Sequence, residues 1–156
     1  MARIAIRKAE PNDAENVVRL VNLAFRRERF FTENDRTNPE SVRNLLQKGA
    51  FLLAEEAGAL LGCVYVEVRG QRGYVGMLAV DPALQRAGLG SRLVTAAEEY
   101  CRASGCRFMD MTLVNLRKEL PGYYRKRGYV DDGTEPFITA ARLKMPCHLV
   151  KMTKPL

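Results

Sequence analysis

The sequence predicts an α/β fold, a mixed central sheet of about seven strands with helices on both faces. Three observations carry that expectation. Short apolar runs bounded by Gly, Pro, Asn or Asp recur along the chain, as strands do. Between them lie stretches whose apolar residues return every three or four positions, as on one face of a helix. The two kinds interleave as strand, two helices, three strands, helix, strand, helix and two strands, with no internal repeat, low-complexity segment or linker. At 156 residues the chain is most simply one domain, residues 1–156, with length enough for a substantial core.

The elements follow in order. Ile4 to Lys8 reads as a first strand. Asn12 caps a first helix, with Glu15 as the return partner of a capping box, and Ala14, Val17, Val18, Val21, Ala24 and Phe25 form its inward stripe. Arg26 to Thr37 is charged and has no period, so it reads as a loop or frayed helix end. Asn38-Pro39 is a cap and first-turn pair for a second helix, with Val42, Leu45 and Leu46 inward. Phe51 to Glu55 and Leu60 to Val68 form an antiparallel hairpin turned at Ala57-Gly58-Ala59. On its second arm Leu61, Cys63, Tyr65 and Glu67 share one face, and Val64, Val66 and Val68 the other. Tyr74 to Val80 is the fourth strand, where Gly76 signals a bulge or a close backbone approach. A long helix follows, then a strand pattern from Phe108 to Val114 that is apolar at most positions and so reads as central. Asn115 to Lys118 opens a last helix that stops at Gly128, Tyr129-Val130 starts a sixth strand, Asp131 to Pro136 is loop, and Cys147 to Lys151 is the last strand.

Composition excludes several classes. Apolar residues make 47% and charged ones 28%, the proportions of an ordinary globular protein rather than a disordered one. No run approaches the roughly 18 apolar residues of a membrane span. Met1 to Ile4 lacks a signal-peptide apolar core, so no membrane partner is expected. The four cysteines, Cys63, Cys101, Cys106 and Cys147, form no C-x-x-C pair and no cluster with His148. Neither a metal site nor a disulfide framework is expected, and a reducing cytoplasm fits. The net charge of +7 calls for a polyanionic partner or serves solubility. The basic residues are scattered and lack the aromatic-rich basic motif of an RNA-binding sheet, so nucleic acid is not the expected partner. A nucleotide cofactor with three phosphates would serve as well.

The most telling stretch runs from Val80 to Glu99. An apolar run ends at Asp81-Pro82; Gln85-Arg86-Ala87-Gly88-Leu89-Gly90 follows, then a helix with Leu89, Leu93, Ala96, Ala97 and Tyr100 on one face. A strand, a glycine turn and a helix start together offer unpaired backbone N–H groups at the positive end of a helix dipole, which is how a chain receives phosphate. Arg86 and Arg92 add charge nearby. Q-x-x-G-x-G after this turn resembles the coenzyme A pyrophosphate loop of the GNAT superfamily of N-acetyltransferases. The element order resembles that fold over essentially the whole chain. The tail resembles a bacterial subgroup of the superfamily whose acceptors are mostly unassigned: Asn115 to Leu120, Thr134-Glu135-Pro136-Phe137 and Met152-x-Lys154-Pro155-Leu156.

The resemblance implies acetyl-CoA as cofactor, a small-molecule amine or protein amino group as acceptor, and allows a homodimer. It places the diphosphate on Gln85, Arg86, Ala87, Gly88, Leu89, Gly90 and Ser91, and the pantetheine arm on the backbone of Leu78, Ala79 and Val80. Asn115 reads equally as a helix N-cap or as an amide reaching that arm. Tyr124 to Tyr129 resembles the family's Y-x-x-x-G-F signature, with Tyr129 in place of Phe, and so makes Tyr124 the general acid. Tyr123 lies about 100° around the helix from it and does not share the role. The base is less marked, since Tyr74 to Val80 holds no carboxylate. Glu67, Glu135 and bulk water all stand as candidates. Arg29, Phe30, Phe31, Arg36, Tyr65 and Phe137 are the expected acceptor lining, where an arginine suits an amine that also carries an anion. Two other readings compete with transfer: a CoA-binding sensor that turns nothing over, and a basic nucleic-acid-binding domain.

Overall fold

The computed structural model describes residues 3–85, 88–139 and 142–156. Seven strands form one sheet: β1 (Ala5–Lys8), β2 (Ala50–Glu56), β3 (Ala59–Arg69), β4 (Arg72–Val80), β5 (Phe108–Val114), β6 (Val130–Pro136) and β7 (His148–Pro155), in the spatial order β1-β2-β3-β4-β5-β7-β6. Only β4 and β5 run parallel; the other neighbours are antiparallel. Helices α1 (Ala14–Ala24) and α2 (Pro39–Lys48) cover one face, where Val17, Leu20, Val21 and Val42 pack on Phe51, Leu53, Cys63 and Tyr65. Helices α3 (Leu89–Ala103) and α4 (Leu120–Arg125) cover the other, where Leu93, Val94, Ala97 and Tyr124 join Val64, Val66, Met109 and Met152. The expected class and the helices on both faces are both present.

Helix α3 lies close on the sheet because residue 73 has no side chain. A Cβ on Gly73 would stand 2.5 Å from Cys101 Sγ and 3.0 Å from Met109 Sδ. The buried face of α3 includes a charge: Glu98 accepts from the Tyr129 hydroxyl at 2.8 Å and pairs with Lys154 Nζ at 3.0 Å. This explains the tyrosine at position 129. A phenol buried there needs an acceptor for its hydroxyl, and Glu98 supplies one.

Several local expectations are corrected. The capping box at the first helix is Glu10–Asp13, not Asn12–Glu15: the Glu10 N–H donates to Asp13 Oδ2 at 2.7 Å across a 3-10 turn at Pro11–Asp13. Proline at the first helical position decides between the two overlapping patterns. Asn38 does cap α2, accepting from the Ser41 N–H at 2.9 Å. Of the loop or frayed helix end expected after the first helix, Phe25–Phe30 is the second, a 3-10 continuation of α1. Leu61 faces α3, not the side of Cys63 and Tyr65, because a bulge opposite Ala54 and Glu55 makes it an extra residue on β3 and shifts the alternation. The segment at Asn115 opens no helix; α4 begins at Leu120 and Glu119 is its N-cap. Residues 131–136 belong to β6, and β7 runs on to Pro155.

Candidate active site

Strands β4 and β5 pair over Arg72 to Tyr74 against Phe108 to Asp110, and no further. Both strands continue, to Val80 and Val114, so the sheet opens into a wedge. A bulge on β4 bends it at the opening. Tyr65 opposes Gly76 while Cys63 opposes Ala79, which leaves one extra residue, and Met77 takes φ 46°. The expected irregularity at Gly76 thus sits one residue later. The closed end is clamped: Arg72 Nε and Nη2 donate to the two oxygens of Asp110 at 2.6 and 2.7 Å, and the Thr153 hydroxyl donates to Asp110 Oδ1 at 2.8 Å.

At the open end β4 passes through the 3-10 turn Pro82–Leu84 towards α3. Arg86 and Ala87, two of the expected phosphate-loop residues, lie outside the described residues. Gly88 is the N-cap of α3 in the left-handed conformation, φ 77°, and its carbonyl takes the Arg92 N–H at 3.2 Å. The preceding N–H groups, of Leu89, Gly90 and Ser91, are those a helix cannot use internally. A Cβ on Gly90 would meet Tyr123 Oη at 3.3 Å, Leu78 Cδ2 at 3.8 Å and Val80 Cγ2 at 3.9 Å. So β4, the start of α3 and the side of α4 converge on one bare backbone position. That fits a phosphate-bearing cofactor with its chain in the wedge. The Arg92 guanidinium is instead held off the loop, donating to the Ile4 carbonyl at 3.4 Å.

Gln85 is bracketed. Its Oε1 accepts from Arg27 Nη2 at 2.5 Å and its Nε2 donates to the Val80 carbonyl at 3.4 Å. Asn115 caps no helix: its Oδ1 accepts from the His148 N–H at 2.9 Å while its own N–H donates to the His148 carbonyl at 2.9 Å. A side chain thereby extends the β5–β7 ladder by one rung, and fixes the amide at the rim of the wedge.

Tyr124 is 6% exposed, its ring set edge-on to Tyr123 at 5.0 Å and Tyr129 at 5.8 Å. Burial pushes its phenol above the usual tyrosine value, so it holds its proton. Tyr123 carries the Arg127 guanidinium on its ring at 3.6 Å, and Arg127 Nη1 donates to the Tyr123 carbonyl at 2.8 Å.

Glu67 is tied at both oxygens, to the Tyr65 hydroxyl and to Arg69 Nε. Its partial burial raises its pKa, but these two donors outweigh that and hold the carboxyl below the usual range. The Tyr65 phenol goes the other way, raised by burial and by its bond to Glu67. Tyr65 itself is 2% exposed and packs on Phe51, so it is a core side chain. Phe31 is likewise buried, at 1%. Of the other expected lining residues, Phe30 is exposed, Arg29 pairs with Asp35, Arg36 lies on the Phe25 ring at 5.2 Å, and Phe137 is half-buried. Glu135 is exposed on β6 and lines an open groove of about 750 Å³ with Arg72, Tyr74, Asp110, Thr112 and Lys151.

Two further features were hidden in the sequence. The stretch before β7 straps across to the α1–α2 connection: Thr32 and Leu143 form a bridge, the Lys144 N–H donates to the Phe31 carbonyl at 2.7 Å, and Lys144 Nζ to the Arg29 carbonyl at 2.6 Å. Beneath lies a buried ion pair, Arg117 Nη1 to Glu28 Oε2 at 2.9 Å, with Arg117 Nε on Glu119 at 3.0 Å. No sequence signal marks this pair, whose members stand 89 positions apart. Among the described residues no group of His, Cys, Asp and Glu is placed to hold a metal, and no helix is long and apolar enough to cross a membrane.

The chain is 34% identical over 93 residues to glucosamine 6-phosphate N-acetyltransferase 1 of Oryza sativa subsp. japonica, a match covering 54% of each chain. The chain spans about half the length of the curated relatives it matches. Among solved structures, Ard1 from Thermoplasma volcanium superposes with a TM-score of 0.81 at 19% identity, over 98% of this chain and 97% of that one. The yncA protein from Salmonella typhimurium, solved with its cofactor acetyl-CoA, gives 0.75 at 19% identity, over 99% and 94%. These low identities speak for the fold alone. The model described as Acetyltransferase (GNAT) family matches residues 15–129. With the split β4–β5 pair and the glycine-capped α3 in place, the chain belongs to the GNAT acetyltransferase family.

Proposed function

We propose that this chain is an acetyl-CoA-dependent N-acetyltransferase that passes an acetyl group to a primary amine by direct attack, without a covalent enzyme intermediate. The observation that carries the reading is the wedge between β4 and β5, open towards the bare start of α3 and closed at Arg72–Asp110. The N–H groups of Leu89, Gly90 and Ser91 would take the diphosphate. The backbone of Leu78, Ala79 and Val80 would take the pantetheine arm, with the Asn115 amide at its rim. When bound, the cofactor supplies an activated acetyl thioester.

Tyr124 serves as the acid. Its buried neutral phenol keeps its proton until a thiolate forms beside it. Cys63, Cys101 and Cys147 support no acyl-enzyme route, because burial raises the thiols of Cys63 and Cys101 to about 12, and raises that of Cys147 too. The acceptor is a small amine or a protein amino group approaching beneath the Thr32–Leu143 strap. A cytoplasmic setting agrees with four free thiols.

The test is CoA release from acetyl-CoA over a panel of amines, including glucosamine 6-phosphate and an N-terminal alanine peptide, for the wild type and Tyr124→Phe. Amine-dependent release that falls about a hundredfold in the variant, with CoA affinity kept, is the expected result. CoA binding with no turnover by any amine would favour a sensor, and absence of CoA binding would remove the reading.

A further inference from the structure

The reaction needs a group that accepts a proton from the amine, and the fourth strand carries no carboxylate. Glu67 is unsuited, since both its oxygens are occupied and it is held in the ionised form below the usual range. A weakly basic carboxylate is a poor proton acceptor. Glu135 stands exposed on the edge strand β6, where nothing excludes water.

Glu28 differs from both. It is 7% exposed, in the 3-10 helix that leads from α1 to the acceptor side. Arg117 holds its Oε2, while Oε1 makes no hydrogen bond to the described residues. Arg117 belongs to the turn that carries the chain from β5 into α4: its N–H donates to the Val114 carbonyl and its carbonyl takes the Leu120 N–H at 3.1 Å. Its charge also bears on the Tyr124 phenol. One guanidinium thus links the acceptor side to the turn that positions the acid.

The groups facing Glu28 come from three segments: Arg36 from the α1–α2 connection, Arg117 and Glu119 from the turn before α4, and the Cys147 thiol before β7. Burial raises the Glu28 carboxyl above the usual range. Arg36 and Arg117 pull it back without cancelling the rise, and Glu119 adds to it. A carboxylate raised above the usual range is a stronger proton acceptor than one held below it, as Glu67 is.

We propose that the Glu28 carboxylate, held through Oε2 by Arg117, takes the proton from the acceptor amine as it arrives under the strap. This rests on the transferase reading above. The steps balance. Glu28 Oε1 removes one proton from the ammonium, and the neutral nitrogen bonds to the acetyl carbon. As the carbon–sulfur bond breaks, Tyr124 gives its phenolic proton to sulfur. The second proton leaving nitrogen restores the phenol, and Glu28 returns its own to water. One proton is released per acetyl transferred.

The experiment compares kcat/KM against pH for wild type, Glu28→Gln and Glu28→Asp, with the best acceptor of the amine panel. In parallel, carbon-13 NMR follows the Glu28 side-chain carboxyl in labelled protein. Wild type is expected to lose activity as pH falls through a midpoint that the NMR titration of Glu28 reproduces, above the ordinary carboxylate range. Glu28→Gln is expected to fall about a hundredfold at neutral pH and to approach wild type where the amine is already neutral. Glu28→Asp keeps the wild-type profile at reduced rate.

Should Glu28→Gln fail to fold with Arg117 unpaired, Glu28→Gln/Arg117→Met carries neither charge and is read against Glu28→Asp/Arg117→Met, which lacks the same guanidinium but keeps a carboxylate. A loss of equal proportion at every pH, or an unchanged profile, overturns the assignment while leaving the transferase intact. A wild type that turns over no amine removes the transferase reading, and this assignment with it.

Discussion

The hydroxyl oxygen of Tyr123 lies 3.3 Å from the point where a Cβ on Gly90 would stand. That relationship ties the start of α3 to α4. The Tyr123 ring has little room to move, flanked by Arg127 at 3.6 Å and Tyr124 at 5.0 Å. Gly90→Ala adds a better helix former at the start of α3, a gain of up to about 1 kcal/mol in folding. It also places a methyl beside the N–H groups proposed to take the diphosphate. Because the pinned ring cannot yield the few tenths of an ångström that a Cβ at 3.3 Å requires, we expect thermal stability at or below wild type despite that gain, and a CoA dissociation constant raised about tenfold, or about 1.4 kcal/mol. Calorimetric CoA titration beside a melting curve checks both; unchanged affinity would take the diphosphate away from this turn.

The clamp at the closed end of the wedge titrates. The Arg72 guanidinium holds the Asp110 carboxyl below the usual carboxylate range; burial opposes this, and Thr153 adds to it. A depressed pKa means that Asp110 contributes stability above its ordinary range and loses it as pH falls through the lowered value. Both side chains are about a third or more exposed, 45% and 32%, so solvent screens the pair and about 1 kcal/mol is the expected size. Asp110→Asn should therefore cost about that much at neutral pH and little in strong acid. Urea midpoints at several pH values decide it. A difference that grows towards acid would contradict the assignment.

At the back of α3, the Tyr129 hydroxyl donates to Glu98 at 2.8 Å, and Lys154 keeps that carboxylate paired. Tyr129→Phe removes one bond from a buried acceptor but leaves the ion pair. The expected loss is about 1–3 kcal/mol in folding, with turnover per folded molecule unchanged. Glu98→Ala should cost more, about 3–5 kcal/mol, since it strands a half-buried lysine and a buried phenol together. Denaturant titration of both variants checks the order, and Tyr129→Phe costing more than Glu98→Ala would reverse the account.

What the sequence made legible is local. The stripe of α1, the Asn38 cap, the β2–β3 hairpin and the glycine turn into α3 each depend on neighbours within a few positions. What stayed hidden depends on the partner. The face of Leu61 and the bend at Met77 are set by bulges, which exist only against the opposing strand. Phe25–Phe30 takes a three-residue turn, so the 3.6 period lapses and Glu28 reads as one charge among several. Its partner Arg117 looks like a helix opening until the chain is folded. Likewise Asn115 suits a cap or a ligand by its type, and only the His148 backbone shows where its carbonyl is used.

The strap supplies the last test. It is held by the bridge of Thr32 to Leu143, by backbone bonds from Lys144 to Phe31 and from Glu33 to Arg142, and by the Arg142 N–H on Asn34 Oδ1 at 2.7 Å. Lys144→Pro deletes the N–H that donates to Phe31 and disfavours helical backbone just before it, without touching the sheet core. The side-chain ammonium on the Arg29 carbonyl goes with it. If the acceptor approaches beneath this strap, its KM should rise about tenfold while the CoA dissociation constant stays put, because none of the strap's bonds given above reaches Leu89, Gly90 or Ser91. Lys144→Ala separates the two contributions, since it keeps the backbone donor and loses only the ammonium. Steady-state kinetics in each substrate read the result. A KM rise for acetyl-CoA instead of the amine would move the acceptor's route away from the strap.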